Sequence, residues 1–150
     1  MTSMVIPGLA SPHSLGSRFP LSGGSLSIPA VALGTWKMSP EEAERATVWA
    51  LRAGYVHVDT AAVYRNEAGV GAGIRASGIG RDSLFITTKL APMHQGYEPA
   101  LQAFDASLKK LGLDYVDMYL MHWPGTSGLP PGAPEHRPNR LASWKAMEKV

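Results

Sequence analysis

Residues 84–89 read Leu-Phe-Ile-Thr-Thr-Lys. Residues 98–111 read Glu-Pro-Ala-Leu-Gln-Ala-Phe-Asp-Ala-Ser-Leu-Lys-Lys-Leu, and residues 115–122 read Tyr-Val-Asp-Met-Tyr-Leu-Met-His. The first and last stretches are short, apolar and rich in strand-forming residues. The middle one puts Leu101, Phe104, Leu108 and Leu111 on one helical face, and Gly112 is a good stop. Strand, helix and strand in that order predict a βαβ unit with parallel strands.

The pattern repeats toward the N-terminus. Ala30 to Leu33 is a short apolar run ending at Gly34. Ser39-Pro40-Glu41-Glu42 then opens a helix: Ser39 can cap, Pro40 suits the first position, and Glu42 completes a capping box. This helix reaches Gly54, and Tyr55 to Asp59 is the next strand. Glu67 to Ser77 is another helix, stopped by Gly78. Gly69, Gly71 and Gly73 inside it each cost up to about 1 kcal/mol relative to Ala, so it is expected to be weak.

Arg18 to Ile28 reads as a hairpin turning at Gly23-Gly24. Residues 1–17 lack acids and are rich in Ser, Gly, Pro and Met; they read as a flexible tail, because a transit peptide would carry several Arg. Pro124, Pro130, Pro131, Pro134 and Pro138 predict a loop over 124–140. Leu141 to Val150 restarts a helical pattern without a stop signal and reads as an element cut short. Residues 18–150 thus form four strands alternating with helices, compatible with a doubly wound sheet or with part of a (β/α)8 barrel, which needs about 250 residues.

The chain of 150 residues is 45% hydrophobic and 17% charged, so it can bury a core. The net charge is +2 with Lys and Arg spread out, which leaves no nucleic-acid footprint. The absence of Cys excludes a disulfide framework and a thiolate metal site, and it fits a reducing compartment such as the cytoplasm. No apolar stretch reaches the roughly 18 residues of a membrane span. No metal-ligand spacing stands out. Gly69-Val70-Gly71-Ala72-Gly73 lies inside a helical pattern, which is the wrong place for a dinucleotide phosphate loop.

Functional groups of parallel α/β folds gather at the C-terminal ends of strands. Those ends here carry Gly34-Thr35-Trp36, Asp59, Lys89 and His122, and Tyr64 follows Asp59 by one loop. The group suits proton donation to a carbonyl oxygen. A phenol is a poor acid near neutrality, and a close ammonium favours its anion. A carboxylate would hold the ammonium, and an imidazole can hydrogen-bond the carbonyl oxygen. None of these side chains can supply hydride, so a reduction would need a nicotinamide or flavin. His57 shares strand parity with Asp59 and is expected to face the interior as a hydrogen-bonded core residue. Lys109-Lys110 reads as a solvated helix face.

Gly54-Tyr55-Val56-His57-Val58-Asp59-Thr60-Ala61 resembles the aldo-keto reductase signature around its catalytic Asp. Ala61-Ala62-Val63-Tyr64-Arg65-Asn66-Glu67 resembles the stretch bearing that family's Tyr, and Leu84 to Leu90 the strand bearing its Lys. Asp114 to Pro124 resembles the strand bearing its His. The resemblance runs from about Phe19 to Val150 and implies the N-terminal half of a (β/α)8 TIM barrel with an N-terminal β-hairpin. It further implies Tyr64 as proton donor, Lys89 easing loss of that proton, Asp59 supporting Lys89, and His122 orienting the carbonyl. Trp36, His122 and Trp123 would bind the substrate, while Gly34, Thr35 and Asp59 would approach the nicotinamide-ribose end of NADPH. The implied partner is a small carbonyl compound, with no nucleic acid and no membrane, in a family that is typically monomeric.

Two departures stand out. Val56 replaces a polar or charged residue, and the helix over 67–77 is less charged than the family's. The strands that bind most of the cofactor follow the matched region in this family. An alternative reading is therefore a half-barrel fragment with little cofactor binding or activity of its own, prone to self-association through its open edges. A regulatory protein keeping the fold is a third reading.

Overall fold

A computed structural model describes residues 15–21 and 26–150. The Gly23-Gly24 turn, and residues 1–14 of the expected tail, lie outside the described residues. Strands β1 (Arg18–Pro20) and β2 (Ser27–Pro29) pair antiparallel with Phe19 opposite Ile28, as a hairpin requires.

The main sheet contains β3 (Leu33–Gly34), β4 (His57–Asp59), β5 (Phe85–Leu90) and β6 (Met118–Met121). All neighbours are parallel and the order is β3-β4-β5-β6. Helices α1 (Pro40–Arg52), α2 (Glu67–Ser77) and α3 (Tyr97–Leu111) connect successive strands, and α4 (His136–Met147) follows β6. No helix among the described residues is long and apolar enough to cross a membrane.

Side chains alternate across this sheet, as strand geometry demands. Val58 and Ile86 turn to one face and pack with Leu51 of α1, Val70 and Ile74 of α2, and Leu111 of α3. Leu90 packs on Ala100 and Ala103 of α3 and Ala146 of α4. His57, Asp59, Phe85, Thr87 and Lys89 alternate onto the other face. The Arg18 guanidinium of the hairpin lies 6.0 Å from the Phe85 ring there.

A doubly wound sheet reverses its strand order and carries helices on both faces. Here the order follows the chain and three helices share one face, so the winding is that of a barrel. The architecture is the N-terminal half of a (β/α)8 barrel.

Local chemistry explains the element ends. The capping box of α1 is complete: Glu42 N donates to Ser39 Oγ at 3.2 Å and Ser39 N to Glu42 Oε2 at 2.8 Å. Gly78 and Gly112 end α2 and α3 at φ 77° and 66°, in the left-handed region where a Cβ is penalised.

Three expectations need correction. Helix α2 is not weak in context; it is largely buried between α1 and α3. Its glycines are the reason. A Cβ at Gly69 would overlap the Pro40 carbonyl and one at Gly71 the Leu111 carbonyl, and at Gly73 it would lie 2.6 Å from Glu44 O and Thr47 Cβ. Close helix approach outweighs the loss of propensity. Second, α4 begins within the proline-rich loop. Pro138 occupies its first turn, where a missing N–H costs nothing, and Asn139 N makes a helical bond to Glu135 O at 3.1 Å. Third, that helix closes at Met147, with Glu148 as its cap, so Leu141 to Val150 is not one continuing element.

Gly71→Ala should destabilise the fold by about 1–3 kcal/mol through overpacking. Gly80→Ala is the control, because open space surrounds Gly80. Thermal unfolding of both variants checks this; equal midpoints would refute the close-packing account.

Candidate active site at the C-terminal rim

Strand β5 runs three residues past the last residue of β4 in register, since Asp59 lies opposite Thr87 and β5 ends at Leu90. Lys89 therefore projects above the end of β4. Its Nζ donates to Asp59 Oδ1 at 2.5 Å and to the Thr60 carbonyl at 2.9 Å. The Lys89 side chain is 13% exposed and that of Asp59 33%. An ammonium this sheltered needs partners, and it has both a carboxylate and a carbonyl.

Tyr64 ends a short 3-10 turn, Ala62–Tyr64, that leaves β4. Lys89 Nζ lies 5.2 Å from the centre of the Tyr64 ring. The His122 ring, just past β6, meets Tyr64 edge-on at 5.5 Å and stacks parallel to Trp123 at 6.1 Å. Trp36, Val63, Tyr64, His122 and Trp123 line one cavity of about 270 Å³. The six residues Asp59, Tyr64, Lys89, His122, Trp36 and Trp123 thus come together at one mouth. Trp36 and Trp123 are both largely exposed, an unusual place for large aromatic surface.

Gly34 and Thr35 sit beside this mouth in different ways. Gly34 is exposed, and no heavy atom lies within 4 Å of where its Cβ would be. Thr35 is fully buried, and its hydroxyl donates to Thr60 Oγ1 at 2.9 Å. Thr35 thus frames the rim from behind. His57 occupies the interior position foreseen for it, with Nε2 2.9 Å from Thr87 Oγ1 and its ring against Phe85.

Two residues missed in the sequence hold the rim together. Asn66 is fully buried, and its Nδ2 donates to the carbonyls of Thr35 at 2.7 Å and Met38 at 3.0 Å. Its Oδ1 accepts from Thr60 Oγ1 at 3.2 Å. One amide thereby ties the loop carrying Trp36 to the loop whose carbonyl holds Lys89. Gln95 does the same for the other wall. Its Nε2 donates to Trp123 O at 2.8 Å, and its Oε1 accepts from Thr126 Oγ1 at 2.8 Å. Both are amides in loops just beyond strand ends, and that position was the only signal available in the sequence.

Burial is the largest influence on His122 and pushes its pKa below the ordinary imidazole value. The Lys89 charge acts the same way, and Asp59 opposes them. The imidazole is therefore neutral at pH 7 and keeps one N–H to donate. Burial also lowers His57.

A carboxylate, an ammonium, a phenol and an imidazole at the C-terminal rim of a half-barrel define an α/β-barrel protein with a preassembled polar mouth. The Aldo/keto reductase family profile matches residues 28–150. The chain belongs to the aldo/keto reductase family. It is 51% identical over 110 residues to an aldo-keto reductase of Mycolicibacterium smegmatis, a match covering 73% of this chain and 40% of that one. The crystal structure of an aldo/keto reductase from Brucella melitensis superposes with a TM-score of 0.80 at 46% identity, over 89% of this chain and 47% of that one. A Bombyx mori aldo-keto reductase in complex with NADP gives 0.77 at 39% identity, over 89% and 46%. The chain spans two fifths to just under half the length of these proteins.

Removing the Asn66 amide leaves the buried Thr35 carbonyl and the partly buried Met38 carbonyl without their donor. Asn66→Ala should cost about 3 kcal/mol in urea unfolding; a change below about 0.5 kcal/mol would show that the network carries no stability. The lowered histidines set a pH dependence. Below about pH 6.5 the unfolded chain takes up protons that folded His57 and His122 resist, so stability falls with acid. It levels off once the folded imidazoles also protonate. His57→Gln should show a shallower fall in melting temperature from pH 7.5 to 5.5, and an unchanged slope would remove His57 from the account.

Proposed function

We propose that the protein carrying this half-barrel reduces the carbonyl of a small aldehyde or ketone to an alcohol, with NADPH as reductant and Tyr64 as proton donor. The observation that carries the reading is the Lys89 ammonium, fixed by Asp59 and Thr60 and facing the Tyr64 ring beside His122. Family membership, and a relative crystallised with NADP, support it.

The residues present suit the nicotinamide end of the cofactor. Gly34 leaves open space for a flat ring, and Asp59 is a third exposed beside it, with an acceptor for ribose hydroxyls. Gly34 and Asp59 would hold that end, with Thr35 keeping the Gly34 backbone in place from below. When bound, NADPH supplies hydride to carbonyl carbon.

The chain's own groups do the rest. Trp36 and Trp123 offer apolar surface at the mouth for the body of the substrate to pack against. Neutral His122 donates a hydrogen bond to the substrate oxygen and turns the carbonyl toward the rim. As negative charge develops on that oxygen, the Tyr64 hydroxyl gives up its proton to it. Lys89, held by Asp59, stabilises the phenolate left behind.

In the protein carrying these residues, Tyr64→Phe should lower kcat for aldehyde reduction by about 10²–10⁴-fold while NADPH affinity changes little. Stopped-flow turnover and fluorescence titration measure the two separately. Turnover within tenfold of the parent would sink the Tyr64 assignment.

A further inference from the structure

A second cavity, of about 340 Å³, is lined in part by Ala62 and Val63 of the Ala62–Tyr64 turn. Val63 lines both cavities. Ala91 and Met93 continue the apolar wall, and Arg65, His94 and Lys110 bring three basic side chains to the same space. No carboxylate is among its lining residues.

Two of these bases are uncommitted. Among the described residues the side chains of Arg65 and His94 make no hydrogen bond or ion pair. Lys110 is half exposed and forms a long ion pair, 3.9 Å, with the buried Glu67. Arg65 also stands at φ 59°, a conformation that non-glycine residues seldom adopt. That places an arginine directly after Tyr64 at the lip of the cavity.

We propose that this cavity is an anion site for a small carboxylate with an apolar body, separate from the carbonyl mouth. Arg65 matches a carboxylate with its planar fork, and Lys110 adds a mobile point charge. Val63, Ala91 and Met93 take the apolar body, and the flexible thioether of Met93 adapts to its shape. The mixture of a few convergent polar groups on an apolar wall is that of a small-molecule site. The site does not depend on the reduction reading, because none of its lining residues belongs to the proposed catalytic set. Its Val63 wall does touch that set, so occupancy bears on the turn that positions Tyr64.

Benzoate and benzyl alcohol, titrated into the ¹⁵N-labelled protein, test this. Benzoate should shift the backbone amides of residues 62–65 and 91–94 saturably, with an affinity that falls as NaCl rises. Benzyl alcohol, the same body without the charge, should bind at least about threefold more weakly. Arg65→Gln should weaken benzoate by a similar factor. It breaks no bond of the folded chain, so loss of fold does not confuse the result. Equal affinity for the alcohol, shifts confined to the surroundings of Lys89 and His122, or unchanged benzoate binding in Arg65→Gln would each overturn the site.

Discussion

A lysine ammonium sheltered from water has to be paired, and the geometry of this half-barrel follows from how Lys89 is paired. Its carboxylate comes from Asp59, on the neighbouring strand and two positions lower in register. Its carbonyl comes from Thr60, where the ladder of β4 gives out. A slip of β5 by one residue would turn Lys89 onto the helix-facing side, where Ile86 and Leu90 pack, and leave a charge among apolar side chains. The register is therefore specified twice, by the apolar face and by the ion pair. Those two demands agree only when Asp59 and Lys89 lie at the same rim.

The pair also needs loops that do not move, and these come from uncharged groups. Thr35, Thr60 and Asn66 form a closed set of buried hydrogen bonds. A buried network of this kind is stiff when every member is satisfied and costly when one is missing. It lies directly beneath Trp36 and the Thr60 carbonyl, so the wall of the mouth and the anchor of the ammonium share one support. The glycines of α2 contribute from further out. They let α2 settle between α1 and α3, which fixes the start of the helix that carries Asn66 at its cap.

Much of this could be read from the residues alone, because the rim is written in side chains that end strands. Asp59, Lys89 and His122 declared themselves through the strand pattern, and the limits of α2 followed from Glu67 and Gly78. What escaped was whatever depends on a partner distant in sequence. Gly69, Gly71 and Gly73 look like defects until the backbones of α1 and α3 are beside them. Pro138 looks like a breaker until the helix is seen to begin two residues earlier. Asn66 and Gln95 are unremarkable loop amides until folding brings carbonyls to them. Strand limits also shifted: Tyr55 N bonds back to Ala50 O, so β4 starts at His57 rather than Tyr55.

Two tyrosines show how far position decides chemistry in this fold. Tyr119 sits opposite Thr88 in β6 and turns to the helix-packed side, against Phe104. Burial there pushes its pKa well above the ordinary phenol value, and the nearby Glu67 carboxylate pushes it the same way. That hydroxyl holds its proton and has nothing to do with it. Tyr64 lies instead in the turn beyond β4, near the Lys89 ammonium and beside a cavity rather than a packed helix. A negative phenolate is resisted at Tyr119. Strand alternation puts Lys89 on one face and Thr88 with Glu67 on the other, and Tyr119, paired with Thr88, shares the second.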